Sequence, residues 1–207
     1  MKVILVNGSP KATGCTYTAL SEVAGALEKN GIETEIFHVG TEAIRGCMGC
    51  GACKKLGGKC MYNDSVNVFI EKAKTADGFI FGTPVHYAAA SGVLTSFLDR
   101  AFYAGKSYFE YKPGAAIASC RRSGATATFD QINKYFTLSN MPVVSSQYWN
   151  MVHGTKPEEV KQDLEGMQIM RTLGNNMAWL LKAIDAGKKA GINIPKKEDK
   201  ITTSFIR

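Results

Sequence analysis

Lys2 to Val6 (KVILV) is an unbroken apolar run rich in β-branched residues, the pattern of a strand buried on both faces. Thr16 to Asn30 then places Leu20, Val23, Ala24 and Leu27 at helical spacing and stops at Asn30-Gly31. The alternation continues with a strand over Glu33 to Val39, a helix over Val66 to Lys74 and a strand over Gly78 to Gly82. A helix follows over Ser91 to Tyr103, with Val93, Leu94, Phe97, Leu98 and Ala101 on one face. Ala115 to Cys120 reads as the fourth strand, Thr126 to Ser139 as a helix and Pro142 to Ser146 as the fifth strand. Last comes one long helix from about Pro157 to Gly187, striped by Leu164, Met167, Met170, Leu173, Met177, Leu180 and Ile184, which core packing explains without a ligand. Five strands alternating with helices predict an α/β fold: a doubly wound, five-stranded parallel sheet of order 2-1-3-4-5 with helices on both faces. The expected organisation is one domain over residues 1–190, a Cys-rich insert at 45–64 and a polar tail at 191–207.

Composition narrows the partners. At 207 residues with 45% hydrophobic and 21% charged, the chain is long enough for one buried core. Its apolar stretches are far shorter than a membrane span, and MKVILVN turns polar too soon for a secretory signal, so a soluble, cytoplasmic protein without membrane partners is expected. The net charge is +7, yet there is no basic run of five, no zinc-finger His pair and no RNA-binding signature. The excess suits an enzyme that attracts phosphorylated anions better than a nucleic-acid binder. No Ser-His-Asp order or metalloprotease motif points to hydrolysis.

In such a sheet, ligands sit beyond the carboxyl ends of the strands, and "VNGSPKATGCTYTAL" is the first loop at that edge. Free backbone N–H groups at a helix start make an anion site, glycines permit close approach, and Ser9, Thr13, Thr16 and Thr18 add hydroxyls. Neither the Gly-Lys-Ser/Thr ending of a nucleotide loop nor Gly-x-Gly-x-x-Gly is present. A phosphate monoester is therefore favoured over ATP or a dinucleotide, with a loop that merely caps its helix as the alternative.

"NGSPKATGCT" and the later "FGTPVHYAAASGVLTSFLDRAF" resemble, in order and spacing, the phosphate loop and flavin-ring loop of the NADPH-dependent FMN reductase family. The likeness runs on through "ASCRRSGATATFDQINKYF" to "YWNMVHGTKPEEVKQDLEGMQIMRTLGNNMAWLL". The resemblance implies a flavodoxin-like domain that binds FMN and forms homodimers or homotetramers. It implies that Ser9, Pro10, Lys11 and the turn Gly14-Cys15-Thr16 hold the FMN phosphate, with Cys15 standing where members commonly have Asn. Thr83, Pro84, Val85, His86 and Tyr87 would lie along the ribityl chain and ring, Tyr87 shielding its face and His86 being a candidate proton donor. In the loop after strand four, Ser119 to Ala125, Arg121 and Arg122 could meet the charge of reduced flavin or the phosphates of a nicotinamide dinucleotide, and Gly124 closes that loop. Two solvated arginines at a helix start remain the alternative.

Four of the six cysteines form Cys47-x2-Cys50-x2-Cys53-x6-Cys60. Two-residue spacers let thiolates converge, five glycines between 46 and 58 let the backbone wrap, and Lys54, Lys55 and Lys59 offset negative charge. The arrangement suits a [4Fe–4S] cluster, and the insert resembles the iron-sulfur flavoprotein branch of the same family. Zinc and a structural, thiol-bearing loop stay open as alternatives. Asp99-Arg100 is expected to pair at a subunit interface or on the surface, and His153 and Trp149 to border the substrate pocket.

The activity these residues and the resemblance imply is an FMN-dependent NAD(P)H oxidoreductase. It would pass hydride from nicotinamide to flavin and on to a quinone, a nitro or azo compound, a flavin or an electron carrier. The alternative is an iron-sulfur flavoprotein that carries electrons between protein partners without nicotinamide turnover.

Overall fold

The computed structural model describes residues 1–203. Its sheet follows the predicted order. Strands β1 (Lys2–Asn7), β2 (Glu33–His38), β3 (Gly78–His86), β5 (Gly114–Cys120) and β6 (Met151–His153) run parallel as β2-β1-β3-β5-β6. The two-residue strand β4 (Ala89–Ala90) pairs antiparallel with the end of β3.

Burial on both faces is why the inner strands β1, β3 and β5 are largely apolar, whereas edge strand β2 (ETEIFH) is part-exposed and carries Glu33 and Glu35. Val3 and Leu5 of β1, Ile80 of β3 and Ala115 and Ile117 of β5 enter one core, against helices α1 (Cys15–Lys29) and α7 (Leu164–Lys189). Ile4 and Val6, with Phe79 and Phe81, face the other side. There they meet α3 (Ser65–Ala73), α4 (Gly92–Gly105) and α5 (Ala125–Leu138). That second core is aromatic: Phe69 lies 5.1 Å from Phe97, and Phe102 stacks on Phe109 at 4.4 Å. Met167, Met170, Leu173 and Met177 are buried in the first core, as the stripe predicts.

Three expectations are corrected. The fifth strand is not Pro142 to Ser146. That segment touches the sheet through Val144 N to Gly114 O (2.9 Å) and a single bridge at Val143. Residues 145–150 then leave the sheet, and the ladder resumes at Met151–His153 beside Ala118–Cys120. Asn150, buried, spans the excursion by donating to the Val144 carbonyl. The long terminal helix is two: α6 (Pro157–Gln162) ends at Asp163, whose carboxylate accepts from Gly166 N and so starts α7. Arg100 lies neither on the surface nor free for a subunit interface: it is buried and pairs with Asp64. Asp99 accepts from the Tyr135 hydroxyl (2.5 Å), whereas Arg100 is buried and turned toward the cysteine insert.

Residues 191–203 of the tail carry no helix or strand, and Lys197 pairs with Glu110. No helix among the described residues is long and apolar enough to cross a membrane.

Candidate functional site

At the carboxyl edge of the sheet, the three sequence-predicted loops meet in one cleft of about 300 Å³. Ser9, Pro10, Lys11, Cys15 and Thr16 line one wall; Pro84, Val85 and His86 line the second; Ser119 and Arg121 line the third. The sequence reading missed Gly154 and Thr155, which follow β6 and close the cleft, and Cys120, which lines it from the end of β5. The misplaced fifth strand hid the first two.

The first loop is held from behind. Asn7, fully buried at the end of β1, accepts from Ser9 N (3.1 Å) and donates to the carbonyls of Lys11 and Ala12. His38, at the end of β2, donates from Nε2 to the Ser9 carbonyl (2.9 Å). These bonds occupy the loop's inner carbonyls and leave the start of α1 toward the cleft. Gly82 must lack a side chain, because a Cβ there would lie 2.9 Å from Thr16 Cγ2.

Helix capping differs among the helices of the fold. Of the five described helices with nine or more residues, α3, α4 and α7 have a side chain accepting from their first turn: Asp64, Ser91 and Asp163. The other two, α1 and α5, begin at Gly14 and Gly124 with no side-chain cap and no acidic residue in the first turn. Both start at the cleft loops. Uncapped N-terminal amides are unsatisfied donors at the positive end of a helix dipole, so these two ends can take an anionic ligand.

The second loop is a tight hairpin. Val85 pairs with Ala90 and His86 with Ala89, leaving Tyr87 and Ala88 as a two-residue turn with φ of +50° and +58°. A turn with both central residues left-handed normally takes Asn-Gly, so this one is strained, and the strain sits at the cleft rim. Tyr87 is fully exposed at the tip and His86 is exposed beside it. Thr83 is buried, its hydroxyl accepting from Ser91 N (3.0 Å) and donating to Pro84 O (2.9 Å).

The third loop locks onto the hairpin at Gly124, whose φ is +85°; a Cβ there would lie 2.8 Å from Ala88 Cα. Gln131 of α5 accepts from Ala90 N (2.9 Å), adding a second tie. Ser119 is buried, whereas Arg121 and Arg122 are exposed and only Arg121 lines the cleft. Burial pushes the thiols of Cys15 and Cys120 up from the ordinary cysteine value, so both favour the neutral form.

Trp149 is exposed and stacks edge-on with Tyr148, while His153 N donates to Asp163 Oδ2 (2.7 Å) in a neighbouring cavity shared with Tyr148 and Met151. Neither Trp149 nor His153 lines the cleft.

The cysteine insert forms a second site. Cys47, Cys50, Cys53 and Cys60 all line one cavity of about 210 Å³ against α4, with Met48, Met61, Tyr62, Arg100 and Tyr103. The short helix α2 (Ala52–Lys55) carries Cys53 and Lys54, both lining the cavity. Arg100 Nε donates to Cys60 Sγ (3.2 Å), and Cys50 Sγ lies 3.6 Å from Met61 Sδ. Among the described residues no three His, Cys, Asp or Glu side chains converge as a single-ion site. A cubane binds each thiolate on a different iron, so its ligands surround a volume instead of a point. Four thiols around one cavity fit that donor set.

The fold and the cleft define a class, a flavodoxin-like domain. An archaeal flavodoxin structure superposes with a TM-score of 0.59 at 16% identity, covering 88% of this chain and 99% of the other. Residues 1–156, which include every cleft loop, match the NADPH-dependent FMN reductase family, and the chain belongs to that family. It is 33% identical to an iron-sulfur flavoprotein of Methanocaldococcus jannaschii over 192 residues, 89% of this chain and 99% of the relative. It is 31% identical to an FMN-dependent NADPH-azoreductase of Staphylococcus saprophyticus over 101 residues, about half of each chain (48% and 52%).

Proposed function

We propose that this chain is a cytoplasmic, FMN-dependent oxidoreductase that moves electrons from NAD(P)H to a small-molecule acceptor or a redox protein, and that its four-cysteine insert holds a [4Fe–4S] cluster. The observation that carries the reading is the gathering of three sheet-edge loops around one cleft, with the uncapped start of α1, at Cys15 and Thr16, in its wall. When bound there, FMN supplies a centre that accepts hydride and releases electrons singly or in pairs.

The remaining work belongs to the chain. Ser9 and Thr16 offer hydroxyls, Lys11 a positive charge and the amides after Gly14 a row of donors, together a cradle for a phosphate monoester. Pro10 and Cys15 complete that wall. Pro84 and Val85 form the second wall with Thr83 buried behind them, and Tyr87 at the exposed hairpin tip would cover a flat ring. Ser119 and Arg121 line the third side, where Arg121 would bring positive charge, with Arg122 and the Gly124 turn beside them in the same loop. His86, exposed and lining the cleft, would be the candidate to pass a proton between solvent and an acceptor. The acceptor classes that suit an open, half-apolar cleft are quinones, nitro or azo compounds and free flavins. The cluster at Cys47, Cys50, Cys53 and Cys60 would supply one-electron exchange. A homodimer or homotetramer is the expected assembly.

A second reading is favoured by the similarity to an iron-sulfur flavoprotein over nearly its whole length: a carrier that exchanges electrons with protein partners without nicotinamide turnover. The visible spectrum of anaerobically purified protein, with iron and sulfide assays, before and after NADPH or NADH, tests both. Flavin bands that bleach with nicotinamide support the oxidoreductase, and stoichiometric iron and sulfide support the cluster. Flavin that stays oxidised beside a full cluster favours the carrier. Protein that retains no flavin on reconstitution overturns both readings.

A further inference from the structure

Among the described residues, Arg100 is the largest side chain that is fully buried, at 1% exposure. A guanidinium removed from water is costly unless every side of it is met. Here Nη1 donates to Asp64 Oδ2 (2.6 Å) and to the Arg45 carbonyl (3.3 Å), and Nη2 to Asp64 Oδ1 (2.9 Å) and the Tyr62 carbonyl (3.3 Å). The Tyr62 ring lies 5.1 Å from its central carbon. Arg45 opens the cysteine insert, while Tyr62 and Asp64 end it, so one side chain from α4 ties both ends of the loop. That leaves Nε, which donates to Cys60 Sγ at 3.2 Å inside the four-cysteine cavity.

A structural clamp needs only the fork toward Asp64 and the carbonyls. The fifth donor spent on a thiol places a buried positive charge and an N–H···S bond at the edge of the cavity. Both features stabilise the more negative form of a thiolate-bound redox centre, because net charge and hydrogen bonds to sulfur set its potential. Asp64, with its side chain 30% exposed, balances the charge of Arg100 and therefore opposes the effect.

We propose that Arg100 is a positioning residue that fixes Cys60 and raises the reduction potential of the centre held by the four cysteines, with Asp64 as its counterweight. The inference rests on the cluster reading of the insert. Its signature is a pair of opposite shifts: Arg100→Gln removes the charge and lowers the potential, and Asp64→Asn removes the counter-charge and raises it. Asn still accepts from Val66 N at the start of α3, so the second variant keeps its helix cap.

The test is anaerobic reconstitution of the full chain with iron and sulfide, then redox titration of the cluster followed by electron paramagnetic resonance, with FMN content as a control because Arg100 does not line the FMN cleft. A negative shift in Arg100→Gln and a positive shift in Asp64→Asn are expected, with bound FMN unchanged. Loss of iron from Arg100→Gln with FMN retained supports the positioning role of Arg100, and the potential is then read from Asp64→Asn. If Arg100→Gln does not fold, Asp64→Asn decides alone. Clusters that titrate at the wild-type potential overturn this assignment while leaving the cluster reading intact. Wild-type protein that takes up no iron or sulfide overturns the cluster reading and this assignment with it.

Discussion

Ser91 Oγ donates to the carbonyl oxygen of Gly8 at 2.8 Å, joining residues 83 apart in the chain. The same hydroxyl accepts from Leu94 N and so caps α4, while Ser91 N donates to Thr83 Oγ1. One buried serine thus holds the first cleft loop, the second cleft loop and a helix start in fixed relation. Ser91→Ala should cost about 2–3 kcal/mol, the sum of a lost cap and a buried carbonyl left without its partner. FMN affinity should fall roughly tenfold, because the two walls lose their common anchor. Thermal unfolding and flavin fluorescence titration read the two effects. A variant that keeps wild-type stability would show that Ser91 is not the anchor.

Gly124 makes the corresponding joint between the second and third loops. Its φ of +85° and the nearness of Ala88 Cα leave no room for a methyl group. Gly124→Ala is expected to destabilise by about 1–3 kcal/mol and to push the Tyr87-Ala88 turn away from α5. The accompanying loss is in FMN binding, since the turn follows Val85 and His86, which line the cleft. Wild-type flavin affinity together with a lowered melting temperature would separate the joint from the binding site.

The sheet was readable because strands buried on both faces leave apolar runs, unbroken in KVILV and interrupted only by Ser119 in AAIASC. The hairpin at Tyr87-Ala88 was not: its left-handed turn is held by Gly124 and Gln131 from elsewhere in the chain and carries no Asn-Gly signal of its own. The fifth strand went astray for a related reason. Pro142 to Ser146 has the right composition, but its pairing with β5 is broken by the excursion at residues 145–150, which local pattern does not reveal. Of the site residues, Ser9, Thr16 and the insert cysteines were legible from motif and spacing. Asn7, His38 and Ser91 were not, because they act by holding backbone carbonyls that only the folded chain brings near. Arg100 was misread as a surface or interface charge, since nothing in its helical neighbours announces a carboxylate 36 residues upstream.

The phosphate cradle is testable by comparing ligands with and without a phosphate. Ser9 is 7% exposed and Thr16 1%, and both face the same wall of the cleft as the uncapped start of α1. Hydrogen bonds to a charged group contribute about 1.5–3 kcal/mol each, so Ser9→Ala with Thr16→Ala should weaken FMN binding roughly a hundredfold or more. Riboflavin, which lacks the phosphate, should bind the double variant and the wild type alike. Equal loss for both ligands would place the effect outside the phosphate cradle.

Glu35, at the middle of edge strand β2, pairs with Lys72 of α3 at 2.7 Å and with Lys2 of β1 at 2.9 Å. The bond from Lys72 is the largest cause holding its carboxyl below the ordinary glutamate value, with Lys2 adding to it and burial opposing. A carboxyl whose folded pKa is depressed binds fewer protons folded than unfolded, so stability rises with pH through that range. Its contribution is complete above the unfolded value near 4.3 and is lost as pH falls through the folded one. Partly exposed pairs of this kind contribute about 1 kcal/mol or less, which at this chain length corresponds to roughly 2–4 °C. Glu35→Gln should therefore melt slightly below wild type at pH 7, and the gap should close as the pH is taken down toward 3. Added salt should shrink the gap at pH 7 by screening the lysines. A gap that persists unchanged at pH 3 would mean that Glu35 stabilises the edge strand by packing and not by its charge.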